Sequence, residues 1–225
     1  MKKSFVYIFF IMIIRIFAAG LIHGETRVYE EKTGNRVTTH SFVIEESSPG
    51  CDITLRSETC GQTIEQKYEL QTNLDALSWD YENPAENTKI TAHKKENKIY
   101  LRGIHKGKQI NKTFKTNDLP WNQSFNIGLE KFALSTEKSM KFRAVGTSGP
   151  GDMKITTFSV KKKNVETITV GSKKVEAVHM QISLSGLLSI FWKGNYYYRK
   201  ADGTFLLYKG KGRGSSRAIM ELTSE

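Results

Sequence analysis

The pattern that decides the fold lies in the stretch VEAVHMQISL, residues Val175–Leu184. Val178, Met180, Ile182 and Leu184 fall on one face of an extended chain, and the positions between them are small or polar. A period of two with one apolar side indicates an antiparallel strand with one face on the core and the other in water. We therefore predict a mainly β protein.

Turn-forming residues divide the rest of the chain into similar strands, about every 8 to 12 residues. Glycine, asparagine and proline supply the positive or preset φ angles that tight reversals need. The clearest turns are Gly34-Asn35, Lys106-Gly107, Gly149-Pro150-Gly151, Gly171-Ser172 and Asp202-Gly203. This spacing predicts an antiparallel meander within a single domain that spans residues 25–225.

A hairpin around Asp202-Gly203 carries large apolar residues on both faces. A two-residue loop there would place Tyr198 opposite Leu207 and Tyr197 opposite Tyr208. A strand pair that is apolar on both sides needs cover on both sides. We expect the single predicted helix to cover the second face.

That helix follows Pro120 and is capped by Asn122 or Ser124. It is predicted to run through Leu134. Its apolar stripe consists of Phe125, Leu129 and Phe132, at positions i, i+4 and i+7. The predicted fold is a single curved antiparallel sheet, an open or half barrel, with one amphipathic helix on its concave face.

The N-terminus has the layout of a secretory signal peptide. Lys2 and Lys3 precede an uncharged run, and small residues end the segment at Gly20. We predict cleavage after Gly20, with cleavage after Gly24 as the alternative. An uncleaved anchor is disfavoured because Arg15 would cost about 2.5–3.5 kcal/mol near the bilayer centre. We therefore expect export to the periplasm.

The composition is that of a soluble, basic globular protein. The 225 residues include 34 Lys and Arg and 23 Asp and Glu, a net charge of +11, and the mean hydropathy is −0.44. Loss of residues 1–20 removes three cations and leaves 31 basic and 23 acidic side chains, or +8. This charge suits an anionic partner, and in an exported protein that partner is not a nucleic acid.

Cys51 and Cys60 are the two cysteines of the chain. If residues 51–59 form one strand, the two Cα atoms lie roughly 30 Å apart, whereas a disulfide needs less than about 7 Å. The residues between them include no glycine, proline or asparagine that would make a tight turn. The geometry therefore argues against a bridge between the two.

No catalytic or metal motif is present, so we expect a non-enzymatic protein without cofactors. The serines of GTSG and SLSG lack the spacing of a nucleophile elbow. The histidines of the mature chain lie on separate predicted strands without ligand spacing. They are His40, His93, His105 and His179.

Large apolar residues are the candidates for a ligand-binding interior between sheet and helix. They are Trp79, Tyr81, Trp121, Phe125, Phe132, Trp192 and Tyr198. A lipid or another apolar molecule would fit such an interior, although the same residues can simply form a packed core. The alternative function is contact between a basic surface and an anionic membrane or envelope polymer. No sequence feature defines an oligomeric state.

Three segments give the chain a resemblance to known proteins: LDALSWDY at Leu74–Tyr81, PWNQSF at Pro120–Phe125, and FWKGNY at Phe191–Tyr196. With these, the chain resembles an uncharacterised family of exported bacterial proteins, a domain of unknown function. The resemblance implies a periplasmic location in a Gram-negative bacterium. At fold level the chain is also similar to the LolA/LolB-type lipoprotein carriers, whose unclosed barrel and helical plug hold acyl chains. No functional residue is carried over from either group.

Overall fold

A computed structural model describes residues 24–48, 50–149, 152–211 and 216–225, without the side chains of residues 148, 149, 187 and 188. The predicted signal peptide and part of the Gly149-Pro150-Gly151 turn lie outside these ranges. The strands are β1 (Glu25–Thr33), β2 (Arg36–Glu46), β3 (Gly50–Thr59), β4 (Gln62–Gln71), β5 (Ala76–Asn83), β6 (Thr88–Lys95), β7 (Lys98–His105), β8 (Lys108–Lys115), β9 (Ser139–Gly149), β10 (Asp152–Val170), β11 (Lys173–Leu184), β12 (Lys193–Arg199), β13 (Phe205–Lys211) and β14 (Arg217–Ser224).

All fourteen strands belong to one antiparallel sheet. Its order is β8-β7-β6-β5-β4-β3-β2-β1-β14-β13-β12-β11-β10-β9, so the first and last strands of the chain are neighbours in the middle. The edge strands β8 and β9 are not paired with each other. Side chains bridge the gap instead: Arg143 on β9 donates to the carbonyl oxygen of Lys115 at 3.0 Å, and Lys112 on β8 donates to that of Met153 on β10 at 3.1 Å. The predicted open barrel is confirmed.

The segment between β8 and β9 crosses the concave face and fills one half of it. Trp121, Ile127 and Leu129 in this segment are fully buried. The hydroxyl of Tyr198, on β12, donates to the carbonyl oxygen of Phe125 at 2.5 Å. The ring of Phe125 packs edge-on against Phe142 and two other aromatic rings of the sheet. The centre of this half of the barrel is therefore packed core.

The predicted helix is present but much shorter than expected. α1 spans Glu130–Leu134, and Phe125 lies before it in a series of turns. The chain cannot turn into a helix at Asn122, because its N–H bonds to the carbonyl oxygen of Arg143 and the preceding residues run beside β9. Gly128 lies so close to Asn122 that a Cβ there would come within 2.3 Å of the amide oxygen. The helix starts only after these contacts end.

The predicted register of the last hairpin was wrong by one residue at Tyr197 and by two at Tyr198. Tyr198 pairs with Phe205 and Tyr197 pairs with Leu207, with a bulge between them. The loop at Asp202-Gly203 is longer than two residues, because Arg199 N–H bonds to the carbonyl oxygen of Thr204 and β13 begins only at Phe205. Tyr196, not Tyr197, therefore pairs with Tyr208.

The outer face of this hairpin is covered by a strand hairpin and not by the helix. The long β10–β11 hairpin reaches over β14, where Gly171 N–H donates to the carboxylate of Glu221 at 2.5 Å. Its apolar residues Ile168, Val170 and Val175 pack against the core. The segment that contains α1 lies on the inner face instead. The inner face is therefore covered by this segment and the outer face by the β10–β11 hairpin.

Candidate functional site

A chain of polar side chains crosses three neighbouring strands on the inner face of the sheet. Ser57 on β3 is directly opposite His40 on β2, and the Ser57 Oγ lies 2.8 Å from His40 Nδ1. The other ring nitrogen, His40 Nε2, lies 3.2 Å from Glu31 Oε2 on β1. Thr33 donates to the second oxygen of Glu31 at 2.9 Å. We call Glu31, His40 and Ser57 the polar ladder.

The ladder exists because the inner face of these strands changes character along its length. On β2 the inward positions Phe42 and Ile44 are buried core, and the next inward position toward the β1–β2 turn is His40. On β3, Ile53 and Leu55 are followed in the same way by Ser57. The alternation continues but the residues become polar. The polar end of the strands therefore points into the barrel.

Gln66 on β4 extends the polar surface next to the ladder. Its Oε1 accepts hydrogen bonds from the hydroxyl of Tyr68 at 2.8 Å and from the indole of Trp79 at 3.1 Å. Because an indole N–H can only donate, this contact fixes the orientation of the amide. The amide NH₂ of Gln66 remains as a donor for the cavity that the residue lines.

These residues surround a cavity of about 390 Å³ at one end of the barrel. Its walls come from five neighbouring strands and from the residue before β14. They are Glu31, Thr33, Arg36, Thr38, His40, Ser57, Thr59, Ile64, Gln66, Tyr81 and Ser216. Ile64 and Tyr81 give it an apolar wall, and most of the rest is polar. The volume is within the range of small-molecule sites.

The cavity lies among strands, and no residue of the segment between β8 and β9 lines it. We expected the binding space between sheet and helix. Two clefts that are more open lie there, one of about 210 Å³ beside Phe125 and one of about 370 Å³ beside Phe132. Seven residues were predicted to line the binding space. Tyr81 lines the cavity, and Trp79 lies directly behind it through Gln66.

The other five predicted residues lie in the half of the barrel that the segment between β8 and β9 occupies. Trp121, Phe132 and Tyr198 are buried, whereas Phe125 and Trp192 are half-buried. Trp192 packs edge-on against Phe158, with ring centroids 5.8 Å apart. The structure therefore brings only Trp79 and Tyr81 of the seven to the cavity.

Serine, histidine and glutamate in contact are the groups that nucleophilic hydrolases use. Such enzymes also need donors that stabilise an oxyanion, usually backbone N–H groups beside the nucleophile. Ser57 lies in the middle of β3 and is paired on both sides, with His40 and Ile64. The backbone N–H groups around it are therefore committed to the sheet. The ladder is better suited to hydrogen bonding with a ligand.

A second polar cluster lies beside α1, and its members Arg27 and Glu130 are completely buried. Arg27 on β1 is paired with Glu130, which also accepts from the N–H of Phe205 at 3.0 Å. Arg27 further donates to both oxygens of Glu25, at 2.5 and 2.8 Å. Burial raises the pKa of Glu130 to about 7, although Arg27 and the Phe205 N–H oppose the shift. Burial also opposes the charge of Arg27, but its two carboxylate partners outweigh it and raise its pKa.

Sequence reasoning missed both polar clusters. His40 was assigned to a strand of its own, and the register that brings Ser57 opposite it could not be read from the sequence. A signal did exist, since β2 and β3 each place a polar residue in phase with buried apolar ones. Glu130 gave no signal, because one acidic residue in a first helical turn is ordinary.

Metal ligands do not cluster within the described ranges, where no group of three or more His, Cys, Asp or Glu side chains could hold an ion. Within the same ranges, no helix has the length and apolar character needed to cross a membrane. Cys51 is buried and Cys60 exposed, and both are free.

The fold and the cavity define an open, barrel-like antiparallel β protein. No protein-family model matches the chain, and no curated protein matches it either. A crystal structure of a beta-barrel-like protein of the Domain of Unknown Function DUF1849 from Brucella abortus is similar, with a TM-score of 0.61 and 9% identity over 91% of this chain and 98% of that one. The hypothetical lipoprotein YmcC from Escherichia coli (K12) aligns at a TM-score of 0.42 with 11% identity, over 93% and 92% of the two chains. The first likeness shows the fold.

Proposed function

We propose that this protein is a non-enzymatic periplasmic binding protein whose ligand is a small amphipathic, lipid-like molecule. The observation that carries the proposal is the cavity of about 390 Å³, which combines the apolar Ile64 and Tyr81 with the polar ladder. An amphipathic ligand would place its apolar part on Tyr81 and its polar group on Ser57 and Gln66. The signal-peptide pattern of residues 1–20 supports the periplasmic location.

The polar ladder favours a ligand whose polar group both donates and accepts hydrogen bonds. The Ser57 hydroxyl can donate or accept, and Gln66 offers an amide NH₂. Both ring nitrogens of His40 are occupied by Ser57 and Glu31, and they orient the ladder. Arg36 lies at the cavity wall and adds a positive charge. A carboxylate or hydroxyl at the end of an apolar chain fits this set of groups.

A pair of substitutions on one strand tests the site. Thr38 lines the cavity, and its neighbour Thr39 points to the opposite face and is exposed. T38W fills the cavity mouth, whereas T39W adds the same bulk outside. The proteins are purified from periplasm without detergent and analysed by native mass spectrometry, followed by solvent extraction.

We expect the unchanged protein and T39W to carry a stoichiometric ligand, and T38W to lack it. A fluorescent fatty acid serves as the probe for any protein recovered empty. The proposal is wrong if the unchanged protein carries nothing and fails to bind the probe. Equal probe binding by T38W and T39W would place the ligand elsewhere.

A further inference from the structure

The loop between β11 and β12 carries two large apolar side chains that face solvent. Ile190 is 74% exposed and Phe191 is 64% exposed, and no other large hydrophobic side chain in the described ranges exceeds 47%. The two residues are consecutive: Ile190 ends the 3₁₀ turn Gly186–Ile190, and Phe191 follows it. Exposed apolar groups of this size mark an interaction surface when they occur together.

The loop is anchored at both ends and so presents these side chains in a defined place. Before the turn, Ser185 N–H bonds to the carbonyl oxygen of Thr157 at 3.0 Å. After it, Trp192 packs against Phe158 inside the barrel. Ile190 and Phe191 therefore project into solvent from a loop whose two ends are fixed to the sheet.

Exposed cations are placed along the same end of the sheet. Strand pairing puts Lys193 at the start of β12, Lys211 at the end of β13 and Arg217 at the start of β14. Arg36 follows at the start of β2, across the β1–β2 turn. None of these four side chains forms an ion pair with another described residue. We call Arg36, Lys193, Lys211 and Arg217 the basic end.

The mouth of the cavity opens at this end as well. Arg36 and Ser216 line the cavity and lie on either side of the end of β1. The apolar loop, the basic end and the cavity mouth thus lie together at one end of the barrel.

We propose that this end docks on an anionic lipid bilayer, with Ile190 and Phe191 in the interfacial layer and the basic end on the headgroups. Two apolar side chains are far smaller than the roughly 800 Å² per partner of a stable protein interface. Combined with several cations, they suffice for reversible membrane attachment. The net positive charge of the protein complements such a surface.

This inference adds to the proposed function a surface from which a lipid-like ligand could enter the cavity. Membrane docking is nevertheless measured separately from ligand binding. I190S/F191S, which leaves the cavity lining unchanged, should lose docking but bind the fluorescent fatty acid like the unchanged protein. Loss of docking and loss of the ligand therefore have different signatures.

Flotation with vesicles of phosphatidylcholine alone, or mixed with phosphatidylglycerol, tests docking. We expect binding to the mixed vesicles that weakens as salt rises. I190S/F191S should bind at least about tenfold more weakly, because each side chain loses its apolar burial. The matched control V43S/V165S removes two exposed apolar side chains near the opposite end and should bind like the unchanged protein.

A charge variant completes the test. K193E/K211E should weaken binding to the mixed vesicles and reduce its salt dependence, since Arg36 and Arg217 remain. All variants change exposed residues, so circular dichroism should show the same fold. Failure of the unchanged protein to bind the mixed vesicles, or full binding by I190S/F191S, would overturn the inference.

Discussion

Arg27 and Glu130 are 103 residues apart in the chain and form a buried ion pair that ties β1 to α1. The contact fastens the segment crossing the concave face to the centre of the sheet. Glu130 also accepts from the N–H of Phe205, so three elements meet at one carboxylate. The pair therefore holds the segment between β8 and β9 against the sheet.

Replacement of Glu130 by alanine should strongly destabilise the protein. Removal of one partner from a buried pair typically costs about 3–5 kcal/mol, because the other charge stays buried. Glu25 remains as a partner of Arg27, so we expect a value near the lower end. Urea unfolding measures the change, and E137A, at an exposed position close by, should be near neutral. An equally small effect of E130A would contradict the role of the pair.

Glu130 should also make stability depend on pH. Its pKa is about 7 in the folded protein and about 4.3 in the unfolded chain. Between these values the folded state binds more protons, so the contribution is fully present below about pH 4.3 and is lost as pH rises through 7. E130Q, which has no such proton, should unfold with a flatter pH dependence over this range. Identical pH profiles for the two proteins would show that Glu130 does not titrate there.

Gly203 should be sensitive to the addition of a single methyl group. Its φ is +82°, and a Cβ there would lie 2.8 Å from the carbonyl oxygen of Glu130. We expect G203A to lose about 1–3 kcal/mol from combined strain and collision. Gly34 also has a positive φ but has open space around it. G34A therefore measures the free-energy cost of the positive φ alone, without a steric collision. Thermal unfolding should rank G34A as the more stable variant.

Only one of the two cysteines should react with a thiol reagent in the native protein. Cys60 is exposed in the β3–β4 turn, whereas Cys51 is 1% exposed and burial raises its pKa to about 11. Thiol titration should count one group under native conditions and two in denaturant. C60S should show none until it unfolds. A disulfide would instead leave both groups unreactive even in denaturant.

Ser57 should not behave as a catalytic nucleophile. The sheet occupies the backbone N–H groups that would form an oxyanion hole. We expect no covalent adduct after incubation with a fluorophosphonate reagent, as measured by intact mass. An adduct on the unchanged protein that disappears in S57A would identify a serine hydrolase.

Local patterns in the sequence were sufficient for the strands. The alternation in Val175–Leu184 predicted a half-buried strand, and Val178, Met180 and Ile182 are buried in β11. Turn residues placed the reversals at Gly34-Asn35, Lys106-Gly107 and Gly171-Ser172. These features depend on φ preferences and on side-chain alternation, which neighbouring residues alone determine.

The helix and the last hairpin show where local patterns fail. Asn122 looked like a cap, but hydrogen bonds to β9 hold the chain extended there. Asp202-Gly203 looked like a two-residue loop, but Arg199 and Thr204 close a longer one. In both cases contacts made in the folded protein outweigh a weak local preference.

The sequence by itself determined the antiparallel β architecture, the basic charge and the separation of the two cysteines along one strand. Only the tertiary structure decided which polar residues meet. The register of β2 and β3 makes His40 and Ser57 neighbours. Arg27 and Glu130 meet because the segment between β8 and β9 crosses back to the centre of the sheet. The packing of the whole barrel sets both the strand register and the path of the segment between β8 and β9. No local stretch of sequence contains both members of either pair.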